Sequence, residues 1–240
     1  MKQITAIAGI ILLTLGIFSC KNEEWSFPDF DYTTTYFPYQ SPVRTLVLGD
    51  YYFDNTNDNQ LKFLVSVNSG GVYKNTENIT VEFVVDPTLT DSLYNSTTGT
   101  RMYALPTSLY TLSNTSTITI PSGQPHGSVE VQLTQSFLDD PLAIGVNYVV
   151  PLRITSSTTD SVLQGNPLVS NPDLRIAGHW ATRPKNYTLF CIKFVNEFHG
   201  TYLLRGTSVV KRTIPDTTIE TVIYRNKYVE RNPLVSVVTA

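Results

Sequence analysis

Few residues in this chain have the type and spacing that chemistry requires. Hydrolysis of a glycosidic bond calls for two carboxylates converging at about 5 or 6.5–9.5 Å. The acidic side chains, among them Asp54, Asp58, Asp86, Asp91, Asp139, Asp140, Asp160 and Asp173, fall mostly in turns. There a carboxylate ordinarily accepts from nearby backbone N–H groups and faces water. Asn55-Thr56-Asn57-Asp58-Asn59 sets oxygen ligands at alternate positions, as a calcium loop does. It lacks the full twelve-residue loop and the closing glutamate, so a plain loop is the favoured reading. His126, His179 and His199 are scattered, whereas zinc needs clustered ligands. No Gly-Xaa-Ser-Xaa-Gly elbow occurs, and no glycine loop leads into a helix to hold phosphate. A serine–histidine triad assembled in space stays open. The residues therefore suggest a non-enzyme, with no catalytic group, no metal site and no cofactor.

Residue types suited to binding are better represented. Sugar rings present apolar C–H faces, which stack on exposed aromatic rings ringed by amides and carboxylates. Trp180, beside His179 in Gly178-His179-Trp180-Ala181-Thr182-Arg183-Pro184, sits in a connection rather than a strand. It is a candidate platform at a junction between domains, where ligand sites are common. A tryptophan that plugs the junction is the favoured account of the two. Tyr51 and Tyr52, followed by Phe53 beside the Asn/Asp loop, form a second candidate platform, with a sandwich edge as the plainer account. Trp25 reads as packing for a tether. Cys191 lies in the alternating run Leu189-Phe190-Cys191-Ile192-Lys193-Phe194 and reads as a small buried hydrophobe.

The elements that must position these residues are strands. Period-two alternation broken by Gly, Pro, Asn and Asp clusters predicts strands over 61–68, 79–86, 116–120, 128–133, 148–154, 187–195, 200–205 and 220–228. Helical pieces are expected only at 136–140 and 88–94. The strand spacing predicts an all-β chain: an antiparallel β-sandwich over 31–165, then a linker over 166–185 rich in Ser, Thr, Asn and Pro. A second small antiparallel β domain would open at 186 and run to 240. With only three or four strands it is marginal alone, so it either packs on the sandwich or is the incomplete start of a larger domain.

Composition limits the function classes. The 240 residues carry a net charge of −3 and 15% charged residues, so no basic field draws nucleic acid. The 41% hydrophobic content, with 14 Tyr and 11 Phe, is enough to fill a core. At the N-terminus, Met1-Lys2 and an apolar run from Ile4 to Phe18 precede Ser19-Cys20. This reads as a signal peptide over 1–19 cut before Cys20, whose thiol would carry the lipid. The apolar run is shorter than a membrane span and holds Thr5, Thr14 and Gly16. The bulky Phe18 departs from the usual small residue at such a site. With Cys20 acylated, Cys191 has no partner for an intramolecular disulfide. Residues 20–30 then form a lipidated tether.

Several segments carry a resemblance to a known family. They include Tyr36-Phe37-Pro38-Tyr39-Gln40-Ser41-Pro42-Val43-Arg44-Thr45-Leu46-Val47-Leu48-Gly49, Gly70-Gly71-Val72-Tyr73-Lys74-Asn75 and Leu105-Pro106-Thr107-Ser108-Leu109-Tyr110. Ile120-Pro121-Ser122-Gly123 and Tyr148-Val149-Val150-Pro151-Leu152 continue the pattern. They resemble the Bacteroidetes lipoproteins with an N-terminal domain of unknown function 1735, which implies an immunoglobulin-like form of the sandwich. Lys193-Phe194-Val195-Asn196-Glu197-Phe198-His199-Gly200-Thr201-Tyr202-Leu203 resembles the start of their second β domain. The resemblance implies a lipid-anchored outer-membrane protein of a polysaccharide-utilisation system, exposed at the cell surface. Glu23-Glu24 resembles the tag that sends such lipoproteins outward. The implied partners are a glycan, from polysaccharide or host glycoprotein, and an outer-membrane transporter complex. The alternatives are a fimbrillin-like or adhesin subunit, or a spacer beside a glycoside hydrolase. Asp91-Ser92-Leu93, Asp160-Ser161-Val162 and Asp216-Thr217-Thr218 match the short triplet O-glycosylated in Bacteroides, which makes Ser92, Ser161 and Thr217 candidate modification sites.

Overall fold

The computed structural model describes residues 28–213 and 216–239, the side chains of 212–219 excepted. The strands in its first half are β1 (Thr34–Tyr36), β2 (Val43–Val47), β3 (Lys62–Gly70), β4 (Ile79–Val85), β5 (Tyr103–Ala104), β6 (Tyr110–Leu112) and β7 (Thr117–Ile120). There follow β8 (His126–Leu133), β9 (Tyr148–Ser157), β10 (Ser161–Val162), β11 (Asn166–Pro167), β12 (Trp180–Thr182) and β13 (Tyr187–Val195). The remainder are β14 (Gly200–Leu203), β15 (Gly206–Thr213), β16 (Asp216–Tyr224) and β17 (Leu234–Val237).

Two sheets close on one apolar core as an all-β sandwich. The first runs β10-β1-β3-β8-β6 and the second β2-β13-β9-β4-β7, with β5 also beside β9. Side-chain alternation explains the packing. Phe63, Val65 and Val67 of β3 point inward, and β8 sets Val129, Val131 and Leu133 beside them on the same face. Ile79, Val81 and Phe83 of β4 meet them from the second sheet together with Val150, Leu152 and Ile154 of β9. The short connecting turns are capped by their own sequence. Asp86 accepts from Thr88 N ahead of Pro87, and Asp140 accepts from Leu142 N ahead of Pro141. Each starts a single turn of 3-10 helix, Pro87–Thr90 and Pro141–Ile144.

The second sheet is covered on both faces. Ile192 and Phe194 of β13 enter the main core, while Tyr187, Leu189 and Cys191 point the other way. There they form a second core with Val149, Leu89 and Met102. This corrects the sequence-derived boundary. Tyr187–Val195 was expected to open a separate domain, but it pairs antiparallel with β9 and parallel with β2 inside the sandwich. The physical reason is legible in the residues: a strand apolar on both faces must sit between neighbours and under cover. The expected linker is also structured. Within 166–185, β11 pairs with β12, and Arg175 clamps the segment to its neighbour. Its guanidinium meets both carboxylate oxygens of Asp173, at 2.9 and 2.6 Å, and donates to the Leu89 and Asp91 carbonyls.

Beyond β13 the chain forms two two-stranded sheets, β14 with β17 and β15 with β16. In residues 200–239, Asn232 alone is buried among the described side chains. The leader, the lipidation site Cys20 and Trp25 lie outside the described residues.

Two outcomes follow from this packing. Ile192 is fully buried, so Ile192→Ala is expected to cost about 2–5 kcal/mol in denaturant unfolding of the whole sandwich; an unchanged midpoint would place β13 outside it. The hydrogen bonds from Arg175 hold the Asp173 carboxyl below its ordinary value of 3.8. The clamp's stabilisation is therefore complete above pH 3.8 and is lost as pH falls through the lower folded value. Asp173→Asn is expected to lower the melting temperature at neutral pH, with the difference from the parent shrinking in acid. A constant difference at all pH values would argue against the ion pair as its source.

Candidate ligand-binding loop

The loop that leaves β2 presents three aromatic rings to water. Tyr51, Tyr52 and Phe53 are 46%, 90% and 43% exposed. Their ring centroids stand 4.7 Å apart for Tyr51–Tyr52, 4.8 Å for Tyr51–Phe53 and 5.3 Å for Tyr52–Phe53. Apolar rings gathered in water, instead of folded inward, are the usual mark of a docking surface.

The backbone beneath the rings is pinned by side chains. Asn55 Nδ2 donates to the carbonyls of Val47 and Gly49, both at 2.8 Å. Asn59 meets Gly49 twice, its Oδ1 accepting from the Gly49 N–H at 2.8 Å and its Nδ2 donating to the carbonyl at 3.0 Å. Asp58, 2% exposed, accepts from Val47 N at 3.0 Å and pairs with Arg44. Asp54 accepts from the Thr56 N–H and hydroxyl. These bonds draw the Asp54 carboxyl below its ordinary value. Asn55–Asn59, read in sequence as a plain loop with calcium-like spacing, is thus a helical turn over Thr56–Asn59 in which Asp58 and Asn59 accept from backbone N–H groups. Among the described residues no group of three acidic, His or Cys side chains is placed to hold a metal.

Gly49 is required where it stands. Its φ of +90° is left-handed, and an added Cβ would lie 2.3 Å from Glu197 Cβ. That close approach brings the 196–198 turn against the base of the aromatic loop. Between them lies a cleft of about 440 Å³. Its lining includes Gly49 and Asn59 from the clasp, with Gln135, Asn196, Glu197 and Phe198 opposite. Gln135 and Glu197 are exposed, and Phe198 is 62% exposed. Amides, a carboxylate and an aromatic ring therefore line a cleft at the base of the loop, together with Leu48, Leu61 and Leu138.

The other predicted residues are placed differently. Trp180 is only 9% exposed, and its indole N–H donates to the Asp173 carbonyl at 2.7 Å. Its face is packed and its polar edge is used, as a plug requires. His179 Nδ1 accepts from Asp173 N at 3.0 Å. Neither forms a platform, because the clamp around Asp173 consumes both. Ser92 is exposed in a left-handed turn, whereas the Ser161 hydroxyl bonds to the Val162 carbonyl within β10. The side chain of Thr217 lies outside the described residues. Cys191 is buried, and burial pushes its thiol up to about 11, which makes it inert at neutral pH. The roles of Asn55, Asp58 and Asn59 as a clasp were missed in the sequence. The density of Asn and Asp beside an unusually aromatic tripeptide was the available signal.

Comparison with known proteins bears on the fold more than on the site. A family model described as a "-like, N-terminal domain" matches residues 30–161, more than half of the chain. A structure of unknown function from Bacteroides ovatus is 41% identical, covers 88% of this chain and superposes with a TM-score of 0.81. This chain spans 66% of that protein. A multidomain protein from the same organism that includes domain of unknown function 1735 is 12% identical over 80% of this chain and 55% of its own, with a TM-score of 0.43. A proposed carbohydrate binding protein, also from Bacteroides ovatus, is 19% identical over 75% of this chain and 42% of its own, with a TM-score of 0.39. Likeness at that level carries no argument about this chain. No curated protein matches. The match over residues 30–161 shows that the chain belongs to the family of this N-terminal-domain model, a Bacteroides-type all-β domain.

Proposed function

We propose that this chain is a surface glycan-binding protein that captures a polysaccharide on the loop Tyr51-Tyr52-Phe53 without cleaving it. The observation that supports the reading is the contact cluster of three exposed rings on a backbone fixed by Asn55, Asp58 and Asn59. Stacking of an aromatic face on an apolar partner is worth of order 1 kcal/mol. A loop already held in place loses little further entropy when a ligand docks. The adjoining cleft offers Gln135, Asn196 and Glu197 to sugar hydroxyls. Four of the acidic side chains in turns accept from backbone N–H groups: Asp54 from Thr56, Asp86 from Thr88, Asp140 from Leu142 and Asp160 from Thr33. That distribution favours capture over acid–base chemistry.

In this reading Cys20 carries the lipid, and the chain stands on the outer face of the outer membrane beside a transporter complex that takes up the glycan. Tethering in a surface layer raises the local concentration, so a weak site becomes useful through avidity.

A second reading, a structural subunit that assembles by edge-strand pairing, draws on β15 and β16. Val209, Val210 and Ile223 on these strands are 48%, 46% and 66% exposed, and the two strands pair with each other alone among the described residues. Exposed apolar edges of this kind template further strands.

Both readings meet one experiment on lipid-free protein beginning at Lys21. Glycan-array binding is expected for the parent and is expected to weaken about fivefold in Tyr52→Ala. Trp180→Ala is expected to melt earlier without selective loss of binding. Binding untouched by Tyr52→Ala and Tyr51→Ala together would remove the loop from the site. Concentration-dependent polymers with no glycan bound would favour the structural subunit.

A further inference from the structure

A second exposed surface is built on the hairpin of residues 93–102. Its strands are joined by Asn95 N to Thr100 O and Met102 N to Leu93 O, at 2.9 Å each. Tyr94 and Arg101 face each other across it as a bridge pair. Residues directly opposite in an antiparallel pair share a face, and so do residues two apart along a strand. Tyr94, Arg101 and Tyr103 consequently form one stripe. The Arg101 guanidinium lies 5.7 Å from the Tyr94 ring centroid and 5.6 Å from that of Tyr103. The two tyrosines are 55% and 45% exposed.

The cation between them has ring faces but no anion as its partner among the described residues. None of the ion pairs among the described residues includes Arg101. Its Nε is buried and makes no hydrogen bond. Burial without a partner is costly for a polar group, and here only ring faces offset it. The support is stiff. Asn95 Oδ1 accepts from Thr97 N and Thr98 N, which ties the hairpin tip, and Arg175 holds the Leu89 and Asp91 carbonyls at its entry. Tyr94 and Asn95–Thr98 also line a cleft of about 490 Å³, together with Leu93, Met102 and Leu189.

We infer that the Tyr94–Arg101–Tyr103 stripe is a binding site for a carboxylate-bearing saccharide, a uronic acid residue in a glycan chain. With Nε buried, the two terminal nitrogens of the planar guanidinium form the fork that fits a carboxylate in two parallel hydrogen bonds. The flanking tyrosines offer faces for the sugar rings on either side. That the ligand is a saccharide rests on the glycan-capture reading. The stripe shares no residue or ring contact with the Tyr51–Phe53 loop. With a net charge of −3 the protein supplies no general attraction for anions, so selectivity must come from Arg101 at close range.

The test uses three probes on the soluble chain: an oligogalacturonate, its carboxyl-reduced neutral counterpart, and dextran sulfate, each titrated calorimetrically. Oligogalacturonate is expected to bind at least about tenfold more tightly than the reduced form and more tightly than dextran sulfate. Arg101→Gln is expected to lose that tenfold, while Arg101→Lys, with charge but no fork, recovers only part of it. Melting temperatures equal to the parent's show that the variants fold; should Arg101→Gln not fold, Arg101→Lys and Tyr94→Ala carry the test. Equal affinity for acidic and reduced forms, equal affinity for dextran sulfate, or binding indifferent to both Arg101 variants would overturn the inference. Loss of neutral-glycan binding in Tyr52→Ala, scored separately, reports on the capture reading alone.

Discussion

The structure depends on one strand that must be covered on both faces. In Tyr187–Val195, Ile192 and Phe194 complete the main core while Tyr187, Leu189 and Cys191 demand a second one. A two-sided apolar strand cannot lie at an exposed edge without exposing one set. It therefore sits between β2 and β9, and the chain must supply cover for the outer face. The segment around Leu89 and Met102 provides that cover. The Asp173–Arg175 clamp, together with Trp180, ties the long connection down beside it.

The turns that join the strands are rich in residues that cap backbone groups. Polar side chains in these turns satisfy N–H and carbonyl groups that no strand reaches. Asn55, Asp58 and Asn59 do this for Val47 and Gly49, and the loop so fixed has nowhere to bury Tyr51, Tyr52 and Phe53. Rigid presentation of aromatic rings is a by-product of meeting backbone hydrogen bonds, and it is what a weak, stacking-based site needs.

Much of this was legible in the residues. The half-buried strands alternate plainly: Val129-Glu130-Val131-Gln132-Leu133 places its apolar side chains in the core, as its pattern requires. The Asp-Pro openings at 86–87 and 140–141 lie beside the two expected helical pieces and mark single turns of 3-10 helix. The domain boundary was misplaced because Ser/Thr/Asn/Pro density between 166 and 185 looks like a linker whether or not its ends are pinned. The pinning comes from Arg175 reaching carbonyls more than eighty residues away, which no local pattern encodes. Trp180 was ambiguous for the same reason. Whether a tryptophan plugs or presents is set by what packs on it, and Asp173 decides the matter. Tyr51 and Tyr52 were visible as a cluster, but the clasp that holds them joins positions on both sides of the loop and emerges only in three dimensions.

The most direct measurement is hydroxyl-radical footprinting of the soluble chain with and without a glycan that it binds. Oxidation at Tyr51, Tyr52 and Phe53 is expected to fall on binding, while Trp180, already packed, is expected to stay at its low unliganded level. A bound glycan that leaves all three rings as reactive as in the free protein would contradict capture on this loop.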